Sequence, residues 1–399
     1  MRQAGVNSIL GIGQLLAWGS SFYLPAVLAA PLSKSLGCGE STVYLAFSCA
    51  MGGSALVGPL AGRAIDRLGG RPVLIATSLL FAAGLALLSQ VESELGLFLA
   101  WAVIGMAMGA GLYEAAFATV VRLYGTASGD AITVITLFGG FASTVGWPLS
   151  AWMEGIWGWR GACLGWALIH VSVSLPLHLA LPRRSPDLTE PPTAEPHESD
   201  ARGASPSTIA PGTVWSESRT STRWATGLLA FLFASTWFVT TAFAAHGPRL
   251  LLESDVSLEA AVWLGALVGP AQVAGRLLQL GPIKRVDPLR VAAAASLGHP
   301  LGVLALLGMG PAWAVVFVLL HGAGGGLMMI SRGALPLRLF GPVGYGARQG
   351  VLMIPTRIAQ SVAPYAFGLA VDAWGAQALW LSLALSVAGW AAVRALDRR

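Results

Sequence analysis

Gly62-Arg-Ala-Ile-Asp66-Arg67-Leu-Gly69-Gly-Arg71-Pro72 is a short polar turn set between two apolar runs, 43–62 and 72–91. Each run has about the 20 residues that, at about 1.5 Å per residue, cross a hydrocarbon layer of about 30 Å. Outward from this turn the same alternation repeats at 8–31, 97–121, 131–152, 162–181, 225–246, 259–279, 290–308, 312–331, 350–371 and 377–393. Twelve spans put both termini on one side of a bilayer.

The composition agrees with that pattern. Hydrophobic residues make up 55% of the 399, charged residues only 11%, and there are 50 glycines. A soluble domain carries about 25% charged residues, whereas Gly is frequent in packed membrane helices. With the N-terminus inside, 19 of the 24 Lys and Arg fall on the cytoplasmic side, among them Arg63, Arg67, Arg71, Arg122, Arg332 and Arg338. The excess of basic residues in these loops places both termini in the cytoplasm. The basic balance therefore follows from topology, and no nucleic-acid-reading motif accompanies it. The first span, with Trp18, Tyr23 and Pro25, leads into no small-residue cleavage site and reads as uncleaved. Cys38, Cys49 and Cys163 are too few and too scattered for a disulfide framework or a zinc site.

Between Leu181 and Trp224 the composition turns to Pro, Ser, Thr, Glu and Arg, which cannot bury enough apolar surface to order itself. This predicts a disordered cytoplasmic linker, 182–224, between an N-terminal six-helix bundle, 1–181, and a C-terminal one, 225–399. The two halves echo each other. Ala55-Leu-Val-Gly-Pro59 returns as Ala266-Leu-Val-Gly-Pro270, and Arg122-Leu-Tyr-Gly125 as Arg338-Leu-Phe-Gly341. Such parallel repeats, with a solute site between them near the midplane, are one plan of secondary transporters.

The 62–72 turn is the most specific local signal. Its glycines suit a tight turn, and an Asp near the N-terminus of another helix would be favoured by that helix's dipole. Gly62, Asp66, Arg67, Gly69 and Arg71 resemble the loop signature of the major facilitator superfamily, while Gly70 departs from a frequently basic position. The resemblance in span count, linker and topology covers essentially the whole chain. It implies an all-α membrane protein of two six-helix halves that moves a solute by alternating access. It also implies a gate role for Asp66 and Arg67, against the simpler alternative of positive-inside anchoring.

Charges at membrane depth are costly, about 2.5–3.5 kcal/mol on insertion scales, and mark functional positions. Arg357 lies about two turns inside the eleventh span. Arg276 lies about one turn from the end of the eighth, where its side chain could instead reach the interface. One basic residue in each of these spans resembles the oxalate/formate and monocarboxylate branches of the superfamily, which implies carboxylate binding. A guanidinium offers a carboxylate a planar fork of donors. Glu114 in the fourth span is either a proton-coupling carboxylate or the ion partner of Arg357. His321 in the tenth is either a helix contact or a substrate or coupling contact. Trp18, Tyr23 and Trp237 are candidate cavity contacts, with plain packing as the alternative.

These features define a carrier of a small organic solute, expected to be a carboxylate-bearing anion coupled to protons or to a counter-substrate. It is expected in the cytoplasmic (inner) membrane, monomeric, and without cofactor or metal. The alternative is an exporter of drugs, metabolites or other neutral or cationic amphipathic compounds. That alternative is weakened by Gly105, where drug antiporters usually carry Arg, and by only a partial Gly-Pro motif, Gly139, Gly140, Gly146 and Pro148. No HExxH, GxSxG, P-loop or Cys pair supports an enzyme.

Overall fold

The computed structural model of the chain describes residues 3–182 and 219–397. Most of the expected linker lies outside them, as do Arg2, Arg183, Arg184, Arg202, Arg398 and Arg399. Among the described residues there are helices and turns but no strand.

The first apolar segment is broken. Helix α1 (Gln3–Gly19) stops before Ser20, and α2 (Pro25–Leu36) starts on a proline, whose missing N–H costs nothing in a first turn. Helices α3 (Glu40–Leu68) and α4 (Gly70–Ser89) are separated only by Gly69, at φ 85°, a conformation that a side chain disfavours. The charged 62–72 stretch is thus mostly helical, because α3 continues past its apolar run and carries Asp66 and Arg67 on its last turn.

Helices α5 (Glu94–Gly111) and α6 (Tyr113–Tyr124) part at Leu112, and α7 (Gly129–Gly140) and α8 (Ala142–Ile169) part at Phe141. Within α8 the chain kinks at Gly158, φ 68°. One π-helical turn, His170–Ser174, then leads into α9 (Leu175–Leu179). The second half is more regular: α10 (Arg219–Leu252), α11 (Leu258–Leu280), α12 (Pro288–Met309), α13 (Ala314–Phe340), α14 (Tyr345–Trp374) and α15 (Leu379–Asp397).

Eight stretches of described residues are long and apolar enough to cross a membrane. Two of them, Glu94–Leu179 with 86 residues and Tyr345–Asp397 with 53, far exceed one crossing. Divided at Gly125, Gly158 and Gly375, and with α1 and α2 joined as one pass, they fall into the segments that the apolar pattern marks. Leu56, Leu95, Leu168, Trp263 and Tyr365 stand exposed on the outside, which suits hydrocarbon rather than water.

One core runs from Val6 to Leu181 and takes in Ile330, Leu337 and Tyr345. Two others draw only on residues between Ala225 and Leu396. The N-terminal and C-terminal helices meet where α3 and α6 pack on α14 and where α7 packs on α11 and α13. The α3–α14 crossing is antiparallel and glycine-lined. A Cβ on Gly350 would stand 2.6 Å from the Gly58 oxygen, and Gly62 lies against the Gly346 carbonyl. Small residues let two membrane helices approach this closely.

Candidate functional site

The break at Leu112 builds the centre of the site. It frees the carbonyl of Gly111, which the Gln14 amide of α1 satisfies at 2.8 Å, as any buried backbone group in a bilayer requires. It also starts α6 anew at Tyr113, so that Glu114 stands in a helix's first turn, where the dipole favours a carboxylate. Glu114 is 8% exposed.

Two guanidiniums from the C-terminal helices close on that carboxylate. Arg357 of α14 donates from Nη2 to Oε2 at 3.2 Å, and Arg332 of α13 pairs with Oε1. Arg332, expected among the anchoring charges at the cytoplasmic end of the tenth span, is instead wholly buried. The reason is length: α13 continues to Phe340, nine residues beyond the end of the apolar run at 331, and α14 covers it. Its Nε donates to the Met353 sulfur at 2.9 Å, and its guanidinium lies 4.8 Å from the Trp237 ring.

Arg276 does not snorkel. It is 3% exposed and donates from Nη1 to the Thr136 carbonyl at 3.0 Å, the same oxygen that accepts the Tyr113 hydroxyl at 3.4 Å. Gly139 and Gly140 leave room there, since a Cβ on either would meet the Tyr113 hydroxyl or the Arg276 guanidinium. Three guanidiniums therefore gather around the Tyr113-Glu114 step. Arg332 Nη1, Arg357 Nη1 and Arg276 Nε are buried donors with no hydrogen-bond partner among the described residues.

Trp18 is buried, 5.2 Å from both Phe22 and Tyr113 between ring centroids, so it walls the same region from α1. Trp237 stacks on Arg332. Tyr23 is further out: its ring meets Trp147 edge-on at 5.9 Å, and its carbonyl accepts the Trp147 indole N–H at 3.2 Å. His321 is apart from the cluster, buried against His299 of α12.

At one end of the molecule the Asp66 carboxylate accepts the backbone N–H groups of Gly346 at 2.9 Å and Ala347 at 2.7 Å, the first turn of α14. Arg122 of α6 donates to the Asp66 carbonyl. At this same end Lys284 pairs with Asp130 at 2.7 Å across an exposed surface.

Arg332, Tyr113, Thr136 and His299 were not singled out from sequence. Arg332 had a visible signal, since it follows the apolar run directly. Thr136 acts through its backbone and had none.

An all-helical membrane protein whose two sets of helices clasp a charged centre defines a carrier fold, and comparison with known proteins assigns the family. The sequence model of the Major Facilitator Superfamily matches residues 10–330, and the chain belongs to that superfamily of membrane transporters. No curated protein sequence matches the chain significantly. Among solved structures, it superposes on the human organic anion transporter MFSD10 with TM-score 0.71 at 17% identity, covering 98% of this chain and 100% of that one. The proton:xylose symporter XylE gives 0.72 at 12% identity, with 97% and 94% covered. The E. coli fucose:proton symporter FucP, in its outward conformation, gives 0.69 at 18%, with 96% and 97% covered. Identities this low carry the fold and nothing about the solute.

Proposed function

We propose that this transporter carries a small organic anion bearing a carboxylate, bound between the halves on Arg357 and Arg332 in competition with Glu114. The observation that carries this is the imbalance at the centre: two buried guanidiniums share one carboxylate, Nη1 of both Arg332 and Arg357 is an unused donor, and a third buried guanidinium, Arg276, holds only the Thr136 carbonyl beside them. A second carboxylate would take those donors as a fork and neutralise charge that the bilayer penalises. Arg276, Trp18 and Trp237 complete the wall. Tyr23 lies toward its outer rim.

The halves 1–181 and 225–399 rock about the site, joined by the 182–224 linker. With the termini and the 62–72 turn in the cytoplasm of the inner membrane, the α3–α14 crossing and the Asp66 clasp close the cytoplasmic side, so this state faces outward. Gly62, Asp66, Arg67, Gly69 and Arg71 form the gate. The carrier works as a monomer, coupled to protons or to a counter-substrate. The superposed transporters are named for organic anions and for sugars, so the solute rests on the site's charge and not on the fold.

The test is thermal stabilisation of the purified protein by a panel of mono- and dicarboxylates, amino acids, vitamins and cationic drugs, beside Arg357→Ala. A ligand at about 100 times its Kd adds about 2.7 kcal/mol. The expected result is a carboxylate that stabilises the wild type and not the variant. Stabilisation only by neutral or cationic amphipaths, unchanged in Arg357→Ala, would sink the anion reading and favour export of such compounds.

A further inference from the structure

Tyr345, Gln349, Met353 and Arg357 are spaced four apart along α14 and fall on one face of it. Each meets the charged centre or the stretch of α13 that supplies it. Tyr345 donates its hydroxyl to the Gly333 carbonyl at 2.8 Å, and Gln349 donates from Nε2 to the Arg332 carbonyl at 3.1 Å. Met353 takes the Arg332 Nε–H on its sulfur, and Arg357 reaches Glu114.

A carbonyl inside a helix is ordinarily satisfied by the N–H four residues on. For Arg332 that residue is Pro336, buried within an unbroken α13, and it has no N–H to give. The Gln349 amide stands in for the missing bond. A carbonyl only accepts, so the amide is held with Nε2 toward it. Arg332 and Gln349 are both 0% exposed, and in a bilayer such a carbonyl has to be met from within the protein.

A proline alone does not recruit such a partner in this fold. Pro355 and Pro364, inside α14, take the same bond from the Val351 and Gln360 carbonyls, and among the described residues no side chain donates to either. The turn held by Gln349 is also one that packs on the opposite half. A Cβ on Gly333 would stand 2.9 Å from Ile132 of α7 and 3.0 Å from Phe117 of α6.

We propose that Gln349 is a positioning residue for Arg332, replacing the helix bond that Pro336 removes and so fixing the point of α13 from which the guanidinium reaches Glu114. With Tyr345 it ties that point to the first turn of α14, whose Gly346 and Ala347 amides the Asp66 carboxylate holds. One helix face thus joins the clasp to the charged centre. The consequence for transport rests on the anion-carrier reading: an anion that draws Arg332 away from Glu114 pulls on the helix that Asp66 caps.

The test needs no solute. In the purified full chain with isotope-labelled arginine, magnetic resonance identifies the Arg332 Nε–H by magnetisation transfer to the Met353 methyl. The Trp237 ring, 4.8 Å from the guanidinium, makes that resonance sensitive to small movements. Gln349→Leu removes the donor and is expected to displace it. Pro336→Ala supplies an N–H that helix geometry points at the Arg332 carbonyl. Gln349→Leu combined with Pro336→Ala is therefore expected to return the resonance to its position in Pro336→Ala alone. A general loosening of the helices would not be undone by one backbone N–H. An unmoved resonance in Gln349→Leu, or the same displacement with and without Pro336→Ala, would overturn the proposal. Should Gln349→Leu fail to fold, the double variant decides. Folded with its Arg332 resonance in place, it supports the proposal; unfolded, or folded with that resonance displaced, it shows that Gln349 serves something other than this carbonyl. None of these outcomes depends on whether a carboxylate stabilises the protein.

Discussion

Glu114 neutralises only part of the charge that surrounds it, and the consequences can be worked out from the atoms it touches. Arg332 and Arg357 are 0% and 3% exposed, too deep for solvent to screen them. Removing one partner of a buried pair leaves an uncompensated charge and costs about 3–5 kcal/mol. Glu114→Gln is therefore expected to lower the melting temperature of the ligand-free protein while binding a carboxylate more tightly, because the internal competitor is gone. Thermal unfolding with and without the stabilising carboxylate reads both effects. An unchanged melting temperature would mean that Glu114 is not holding the two guanidiniums. If Glu114 is instead the proton carrier, Glu114→Gln would leave exchange intact and abolish only uptake driven by a pH gradient.

Among the helices, the α3–α14 crossing depends most directly on residue size. A Cβ on Gly350 would lie 2.6 Å from both the Gly58 oxygen and the Pro59 Cα, which are backbone atoms that cannot swing aside. Gly350→Val is expected to part the two helices at the Asp66 end and free the Gly346 and Ala347 amides. Hydrogen exchange at those two amides should then accelerate by at least tenfold, a loss of about 1.4 kcal/mol or more of protection. Unchanged exchange would show that the crossing yields elsewhere.

The sequence made the spans legible because a bilayer demands about 20 apolar residues wherever a helix crosses it. It also exposed Asp66, Glu114, Arg276 and Arg357, since charge stands out against so apolar a background. What it concealed was phase and continuation. Hydropathy gives no rotation about a helix axis, so whether Glu114 met Arg357 stayed open. An apolar run also ends before its helix does, so Arg332, just past residue 331, looked like a loop charge. His299 sits in an Ala-rich span, and its partners lie on two other helices, α13 and α15.

Across the whole molecule the two halves repeat one device and use it differently. Arg122 and Arg338 stand three residues before Gly125 and Gly341, which end α6 and α13 at φ 56° and 73°. Each arginine holds an Asp at the same end of its own half: Arg122 takes the Asp66 carbonyl, and Arg338 donates from Nε to the Asp287 carboxylate at 3.2 Å. The carboxylates then diverge. Asp287 caps its own α12 through the Leu289 N–H at 2.9 Å, whereas Asp66 caps α14 of the opposite half. A cap of this kind is worth about 1 kcal/mol. At Asp287 that energy stabilises one half in every state of the cycle. At Asp66 it exists only while the halves are closed at this end, so it weights one state against another. Asp66→Asn is therefore expected to slow transport of the stabilising carboxylate in vesicles, with membrane insertion unchanged. Asp287→Ala should lower thermal stability by about 1 kcal/mol and leave the rate near wild type. Equal loss of rate in the two variants would show that the repeats act symmetrically, and a normal rate in Asp66→Asn would reduce the 62–72 turn to a charge anchor.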